Sequence, residues 1–254
     1  MSPLRERGQA LRALLRPGDP LVLANVWDAA TARAVAAAGA PALATSSAAV
    51  AASRGYPDSD VMPVDVAFDA VTTVTRAVPD LAVSADLEAG YGLPADELVQ
   101  RLLAAGAVGC NIEDTDHHGD RGLLDAATHA ERLRDIRQAA DRAGVPIVLN
   151  ARVDVFITEG AATVGDLLPS ALERCRRYLD AGADTVYPIA VTDKSVISAL
   201  VAATDGMVNI WARPDGPSVA RLREMGVARV SVATGLFNAA MDAVRQEAAR
   251  IHGA

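Results

Sequence analysis

Residues 103–113 have the sequence LAAGAVGCNIE, in which an Ala/Leu-rich stretch ends at a glycine and an apolar run follows at once. The same order recurs in AAAGAPALATS (36–46), DRAGVPIVLNAR (141–152), LDAGADTVYPI (179–189) and REMGVARVSVA (223–233). Glycine adopts the left-handed conformation that closes a helix at little cost. Each segment therefore predicts a helix, a stop and a strand, in that order.

Three further apolar runs, LVLAN (21–25), LAVSAD (81–86) and GMVNIW (206–211), bring the predicted strands to eight. The predicted helices lie near 28–39, 64–78, 94–106, 125–143, 166–181, 192–203, 216–226 and 234–252, with one more over 3–15. Eight such units with apolar strands predict a single (β/α)8 TIM-type barrel domain over 1–254, with an extra N-terminal helix. The alternative, a doubly wound open sheet, needs a glycine-rich turn after the first strand, and LVLANVWDAA has none.

The composition excludes several classes of protein. The chain has 254 residues, of which 51% are hydrophobic and 22% charged, so it is predicted to fold. A net charge of −8 with scattered basic residues argues against nucleic acid or an anionic membrane as partner. Two cysteines and no signal-peptide pattern predict a cytoplasmic protein. Apolar runs such as 21–26 are far shorter than the roughly 20 residues of a membrane helix.

Carboxylates are concentrated where predicted strands end, which is where barrel enzymes carry their chemistry. Asp86 and Glu88 are two residues apart and would point the same way on extended backbone, and Glu113 ends the next strand. Adjacent carboxylates raise one another's pKa unless a cation intervenes, and oxygen ligands favour a hard ion such as Mg²⁺. The three acids therefore predict a magnesium site. The alternative is that they cap helices or pair with Arg152.

Arg152 also stands at a predicted strand end, and its planar fork suits a substrate carboxylate or phosphate. The alternative for Arg152 is an internal ion pair with Asp154 or Glu113. Ser46 and Ser47 precede small residues, so their hydroxyls and backbone N–H groups predict a place for an oxyanion or carboxylate.

Two loops complete the predicted site. The turn at 90–92, Gly-Tyr-Gly, would let backbone and Tyr91 approach a ligand closely. The polar segment EDTDHHGDRGLL (113–124) carries the adjacent His117 and His118 and is predicted to close over the site as a lid. The alternative for this segment is an ordinary solvated loop.

Four segments together resemble the isocitrate lyase/phosphoenolpyruvate mutase superfamily: NVWDAATARAVAAAGAPALATSSAAVAASRGYPDSD (25–60), SADLEAGYG (84–92), NIEDTDHH (111–118) and LNARVD (149–154). The resemblance extends from about residue 20 to about residue 240. It implies a (β/α)8 enzyme that uses Mg²⁺, or alternatively Mn²⁺, to hold an α-keto or α-hydroxy carboxylate. Such enzymes make or break a C–C or P–C bond through an enolpyruvate-type intermediate.

The resemblance also implies roles for individual residues. Asp86 would contact Mg²⁺, and Glu88 and Glu113 would hold it directly or through water. Asp58 would lie near the metal and the substrate as a catalytic residue. The groups implied to bind the substrate carboxylate are the backbone of Ser46 and Ser47 and the side chain of Arg152.

The chain departs from the family pattern in its lid. The lyases carry a Lys-Lys-Cys-Gly-His run there, whose Cys is the catalytic acid, whereas residues 115–119 are Thr-Asp-His-His-Gly. His117 or His118 is therefore predicted to donate the proton. The alternatives are Tyr91 and a metal-bound water. The pair Asp86-x-Glu88 also replaces the Asp-x-Asp of many members.

These observations predict a Mg²⁺-dependent carbon–carbon lyase acting on a small 2-hydroxy or 2-keto di- or tricarboxylate. The alternatives are a phosphonopyruvate-type P–C mutase or hydrolase and a non-catalytic barrel that binds keto acids. The expected partner is a small carboxylate. Because members of the family assemble, the chain is expected to form a homodimer or homotetramer.

Overall fold

The computed structural model describes residues 3–158 and 163–253. The strands are β1 Leu21–Leu23, β2 Asn25–Val26, β3 Ala42–Thr45, β4 Ala82–Asp86, β5 Gly109–Glu113, β6 Val148–Val153, β7 Thr185–Pro188, β8 Asn209–Trp211 and β9 Arg229–Ser231. The helices are α1 Pro3–Ala13, α2 Ala29–Ala37, α3 Ser47–Arg54, α4 Val64–Ala77, α5 Ala95–Ala104, α6 Ala126–Arg142, α7 Val155–Thr158, α8 Val164–Asp180, α9 Lys194–Ala203, α10 Val219–Glu224 and α11 Gly235–His252.

The strands pair in parallel and close into a ring. Six follow the order β2-β3-β4-β5-β6-β7, and three follow the order β1-β9-β8. β1 and β2 are the two halves of the first predicted strand, since β1 pairs with β9 and β2 with β3. Val186 of β7 forms a parallel bridge with Val208, which directly precedes β8. The predicted (β/α)8 barrel is confirmed.

The helix stops also lie where the glycine pattern places them. All five glycines of the repeated pattern have positive φ: Gly39, Gly106, Gly144, Gly182 and Gly226. The predicted N-terminal helix is α1, which packs on the amino-terminal side of the strands. There Gly8 lies so close to Pro146 that an added Cβ would meet its carbonyl oxygen at 2.8 Å. This contact explains why a helix former does not occupy position 8.

Helix α3 was not predicted. It is eight residues long, too short for helical periodicity to show in the sequence. Its limits come from capping: the hydroxyl of Ser46 accepts from the Ala49 N–H at 3.4 Å, and Gly55 closes the helix with a φ of 80°. α3 matters for function because its first turn directly follows β3 at the carboxyl end of the barrel.

Polar side chains fill part of the barrel interior, where apolar branched residues are the rule. Thr185 donates to Asn150 at 2.6 Å, Asn150 donates to Asn111 at 2.8 Å, and Arg229 donates to Asn111 at 3.2 Å. These bonds lead from the middle of the barrel to the strand ends. Across residues 3–158 and 163–253, no helix combines the length and apolar character needed to span a membrane.

Candidate active site

A cavity of about 180 Å³ opens at the carboxyl ends of the strands. Its lining residues come from around the barrel: Asn25, Ser46, Ser47, Ala48, Asp58, Asp86, Asn111, Arg152, Tyr187, Ile189, Trp211, Ser231, Ala233 and Thr234. A larger groove of about 510 Å³ beside Arg176 and Asp180 lies on the outer surface, away from the strand ends. The cavity at the strand ends is the candidate site because five of the predicted residues line it: Ser46, Ser47, Asp58, Asp86 and Arg152.

Asp86 is held on both carboxylate oxygens. Its Oδ2 accepts the backbone N–H and the hydroxyl of Ser47, each at 3.0 Å, and its Oδ1 accepts from Asn111 at 3.3 Å. The backbone N–H of Asp86 donates to the hydroxyl of Thr45 at 2.8 Å. The carboxylate therefore has a defined orientation at the cavity wall.

Glu88 reaches the site by a different backbone path from the predicted one. β4 ends at Asp86, and Glu88 has a φ of 51°, so the extended geometry predicted for the pair is wrong at Glu88. Its buried carboxylate accepts the Asp60 N–H, and the Tyr91 hydroxyl donates to it at 3.2 Å. Burial raises the pKa of Glu88 to about 8, and the charges of Asp58 and other nearby acids act in the same direction.

Glu113 and Arg152 form the centre of a buried ion-pair group. Arg152 pairs with Glu113 and donates to both oxygens of Asp154, from Nε at 2.6 Å and from Nη2 at 3.0 Å. His117 also contacts the Glu113 carboxylate. Burial raises the pKa of Glu113 to about 7, and Arg152 opposes the rise. The internal pairing considered for Arg152 is thus present, while Arg152 also lines the cavity.

Asp58 and the two serines line the cavity as well. Burial and the charge of Asp86 raise the pKa of Asp58. The Ser46 N–H donates to the Val26 carbonyl at 3.2 Å, and the Ser47 N–H donates to Asp86. The two backbone groups predicted to bind a carboxylate are therefore engaged within the protein, and their role toward substrate stays a prediction. The N-terminal end of α3, with its positive partial charge, faces the same cavity.

The predicted lid is folded back on itself beside the acids. Thr115 and Leu123 form an antiparallel bridge across it. His118 bonds Asp60 through its Nε2 at 2.9 Å, and neither His118 nor His117 lines the cavity. Contact with Glu113 raises the pKa of His117. The motion of the lid and the acid–base role of the histidines stay predictions.

Sequence reasoning gave no role to Asp60 and Tyr187. Asp60 has a φ of 56° and connects its own segment to two others. Its N–H donates to Glu88, and its carboxylate accepts from the Tyr91 N–H at 3.0 Å and contacts His118 at 2.9 Å. Tyr187 lines the cavity between Arg152 and Trp211 along the ring of strand ends. Tyr187 stands at the end of a predicted strand, but the contacts that give either position a role join distant segments and are not visible in the sequence.

The donor set fits Mg²⁺. Within residues 3–158 and 163–253, no three His, Cys, Asp or Glu side chains form a preassembled ligand group. However, Asp58 and Asp86 both line the cavity, and the raised pKa values of Glu88 and Glu113 mark a place where uncompensated negative charge is costly. Mg²⁺ usually binds one or two carboxylates and fills its remaining positions with water and substrate oxygens. The residues present can supply that set.

Comparison with known proteins agrees with this geometry. The sequence model of the phosphoenolpyruvate phosphomutase family matches residues 11–252. The chain belongs to this family. A family relative, the 2-methylisocitrate lyase of Salmonella typhimurium, is 32% identical over 201 residues, which cover 76% of this chain and 65% of the lyase. An uncharacterised protein of Mycobacterium tuberculosis is 32% identical over 234 residues, covering 91% of this chain and 84% of that protein.

Solved structures show the same relationship. A Burkholderia cenocepacia protein provisionally assigned as a phosphonomutase superposes with a TM-score of 0.89 and 41% identity, covering 96% of this chain and 99% of that one. A 2,3-dimethylmalate lyase superposes with a TM-score of 0.84 and 27% identity, covering 98% of this chain and 88% of that one. The predicted resemblance is confirmed, and the chain is an enzyme of the isocitrate lyase/phosphoenolpyruvate mutase superfamily.

Proposed function

We propose that this enzyme is a Mg²⁺-dependent carbon–carbon lyase for a small 2-hydroxy or 2-keto di- or tricarboxylate, acting through an enolpyruvate-type intermediate. The observation that carries the proposal is the lining of one cavity by Asp58, Asp86 and Arg152, with two acids of raised pKa behind it. The similarity to lyases that cleave hydroxy acids supports it.

In this proposal Asp86, Glu88 and Glu113 hold Mg²⁺, or Mn²⁺, directly or through water. When bound, the metal supplies Lewis-acid stabilisation of the negative charge that develops on the substrate oxygen. If Glu113 held the metal instead of Arg152, the Arg152 Nη1 would be free to bind the substrate carboxylate. Asp154 keeps the guanidinium in place meanwhile.

The proton balance assigns two further roles. When a 2-hydroxy acid is cleaved, a base takes the hydroxyl proton, the C–C electron pair passes to the leaving carbon, and that carbon takes up a proton. Asp58 lines the cavity and has a raised pKa, so we assign it as the base. His117 or His118, brought inward by the lid, returns the proton. Closure also excludes water from the intermediate.

A phosphonopyruvate-type P–C mutase or hydrolase is the second candidate. The observation that favours it is the 41% identity to the provisionally assigned phosphonomutase, which covers 99% of that chain. Both candidates use the same end of the barrel and the same cation. They differ in the bond that breaks, which is the C–C bond of the hydroxyl-bearing carbon in the lyase and the P–C bond next to the keto group in the phosphonate enzyme.

A substrate panel separates the two candidates. We would incubate the purified protein and Mg²⁺ with 2-methylisocitrate, 2,3-dimethylmalate and phosphonopyruvate, and follow keto acid and phosphate. Release of a keto acid from either hydroxy acid, absent in the Asp86→Asn variant, is the expected result. Phosphate or phosphoenolpyruvate formed from phosphonopyruvate alone would favour the second candidate. Binding without turnover across a broad panel of such acids would contradict both.

A further inference from the structure

Tyr187 lines the cavity, and its buried hydroxyl has no hydrogen-bond partner among the described residues. Only 4% of Tyr187 is exposed, and it stands opposite Arg152 in the pairing of β6 with β7. A buried hydroxyl without a partner loses its bonds to water and gains nothing in return. Such a group needs an explanation, and a ligand in the cavity supplies one.

The other polar groups of this wall are already satisfied. Asn25 accepts the Val232 N–H at 3.2 Å and donates to the Thr45 carbonyl at 2.8 Å. The Trp211 indole donates to the Val232 carbonyl at 3.1 Å. Among the cavity-lining residues of the described chain, Tyr187 contributes the buried side-chain atom without a partner.

The surroundings of Tyr187 indicate what it binds. Burial raises the pKa of its phenol well above the ordinary value, so the group stays neutral and donates a hydrogen bond. Arg152 is the nearest strand neighbour with a positive charge. A phenol beside a guanidinium favours an anionic oxygen, because both groups donate to the same carboxylate.

The remaining lining limits how many such carboxylates fit. Among the lining residues that the structure describes, Arg152 is the one cation, and Ile189 and Trp211 present largely apolar surface. The sequence carries no Lys, Arg or His between Arg152 and Arg174, so the residues that directly follow β6 supply no further cation. A third carboxylate would therefore find no cation among these lining residues.

We propose that the Tyr187 hydroxyl binds the substrate carboxylate held by Arg152, and that this wall restricts the substrate to a 2-hydroxy or 2-keto acid with at most two carboxylates. The proposal rests on the proposed function for the kind of ligand, and it narrows that function by excluding tricarboxylates. One carboxylate lies at the metal end of the cavity and the other, where present, at Tyr187.

Two phenylalanine variants separate substrate binding from a structural role. Tyr187→Phe removes a hydroxyl that has no partner, so its denaturation midpoint should equal or exceed that of the wild type. The matched control is Tyr178→Phe, because the buried Tyr178 hydroxyl donates to Asp114 at 2.7 Å and accepts from Arg174 at 2.9 Å. The control should lower the midpoint.

Calorimetric titration with oxalate in the presence of Mg²⁺ gives the binding readout. Tyr187→Phe should weaken oxalate binding by about tenfold or more, as expected for one hydrogen bond to a charged group. The folded Tyr178→Phe control should bind as the wild type does. Wild-type affinity in Tyr187→Phe would overturn the proposal, and so would a lowered midpoint with unchanged affinity.

Competition against oxalate tests how many carboxylates the site accepts, without requiring turnover. Malate should displace oxalate, and isocitrate should do so at least about tenfold more weakly. Equal or better competition by isocitrate would overturn the substrate class while leaving a lyase in place. If the binding results hold and no hydroxy acid is cleaved, the lyase function fails and the assignment of Tyr187 stands. A wild-type protein that does not bind oxalate would overturn both.

Discussion

Acid should destabilise this protein through His129, a histidine of α6 that lies behind the site. His129 is fully buried, with 0% of its surface exposed, and neither ring nitrogen has a partner among the described residues. Its ring packs edge-on against Tyr178 with 4.9 Å between centroids. Burial lowers the pKa of His129 to about 3, and the charges of Arg132 and Arg174 act in the same direction.

The sign and size of the effect follow from proton linkage. The unfolded chain protonates this histidine near pH 6.5, whereas the folded chain does so only near pH 3. Between these values the unfolded state binds more protons, so the free energy of unfolding falls as the pH falls. The stability that depends on a neutral His129 is therefore fully present above pH 6.5. Its loss is about 1.4 kcal/mol for each pH unit and reaches about 3 kcal/mol at pH 4.

The His129→Phe variant isolates this contribution because it keeps an aromatic ring against Tyr178 and removes the titrating group. The raised pKa values of Glu88 and Glu113 give an opposite pH dependence, and they cancel between the two proteins. In urea denaturation, the free energy of unfolding of the variant minus that of the wild type should rise by about 3 kcal/mol between pH 8 and pH 4. If the free energy of unfolding had the same pH dependence in both proteins, His129 would not be a neutral imidazole in the folded state.

Three other expectations concern the site and the assembly. Arg152→Lys should lose about 2 kcal/mol or more of keto-acid binding free energy, because an ammonium cannot make the two parallel hydrogen bonds of a guanidinium. Calorimetric titration measures this loss. Unchanged affinity would show that the guanidinium has a purely structural role. Changing His117 and His118 together to Gln should lower turnover and leave the Mg²⁺ affinity as in the wild type, because the proposed proton donor is lost. An unaltered rate and pH–rate profile would remove both histidines from the mechanism. Light scattering at micromolar concentration should give the mass of at least a dimer, since α11 buries none of its residues and exposes Val244. The mass of a monomer would contradict this expectation.

The architecture was predictable because its signals are local. Each helix stop depends on a glycine and the apolar run after it, and both are visible in a window such as 103–113. α3 lacked such a signal, since its eight residues show no full helical period. The sequence pattern also assumed extended backbone from Asp86 to Glu88, and the left-handed backbone at Glu88 follows from contacts with residue 60 that no local window contains.

The identity of the site residues was predictable, but their pairing was not. Asp86, Glu113 and Arg152 lie at strand ends as expected, and Asp86 and Arg152 line the cavity. Whether Arg152 turns to Asp154 or to a ligand depends on the local balance of charge, and sequence reasoning left both arrangements open. The orphaned hydroxyl of Tyr187 is visible only when the partners of its neighbours are known.

The measurement closest to the central claim is metal binding by Asp86→Ala, followed with Mn²⁺ by electron paramagnetic resonance and with Mg²⁺ by calorimetry. Removing this carboxylate relieves repulsion at the barrel rim but leaves the Ser47 N–H, the Ser47 hydroxyl and the Asn111 amide without their partner. Circular dichroism should therefore match the wild type, while the melting temperature should fall. The account predicts that the wild type binds the metal, more tightly with oxalate present, and that the variant binds neither ion. A folded Asp86→Ala protein with wild-type affinity for Mn²⁺ would contradict the metal site.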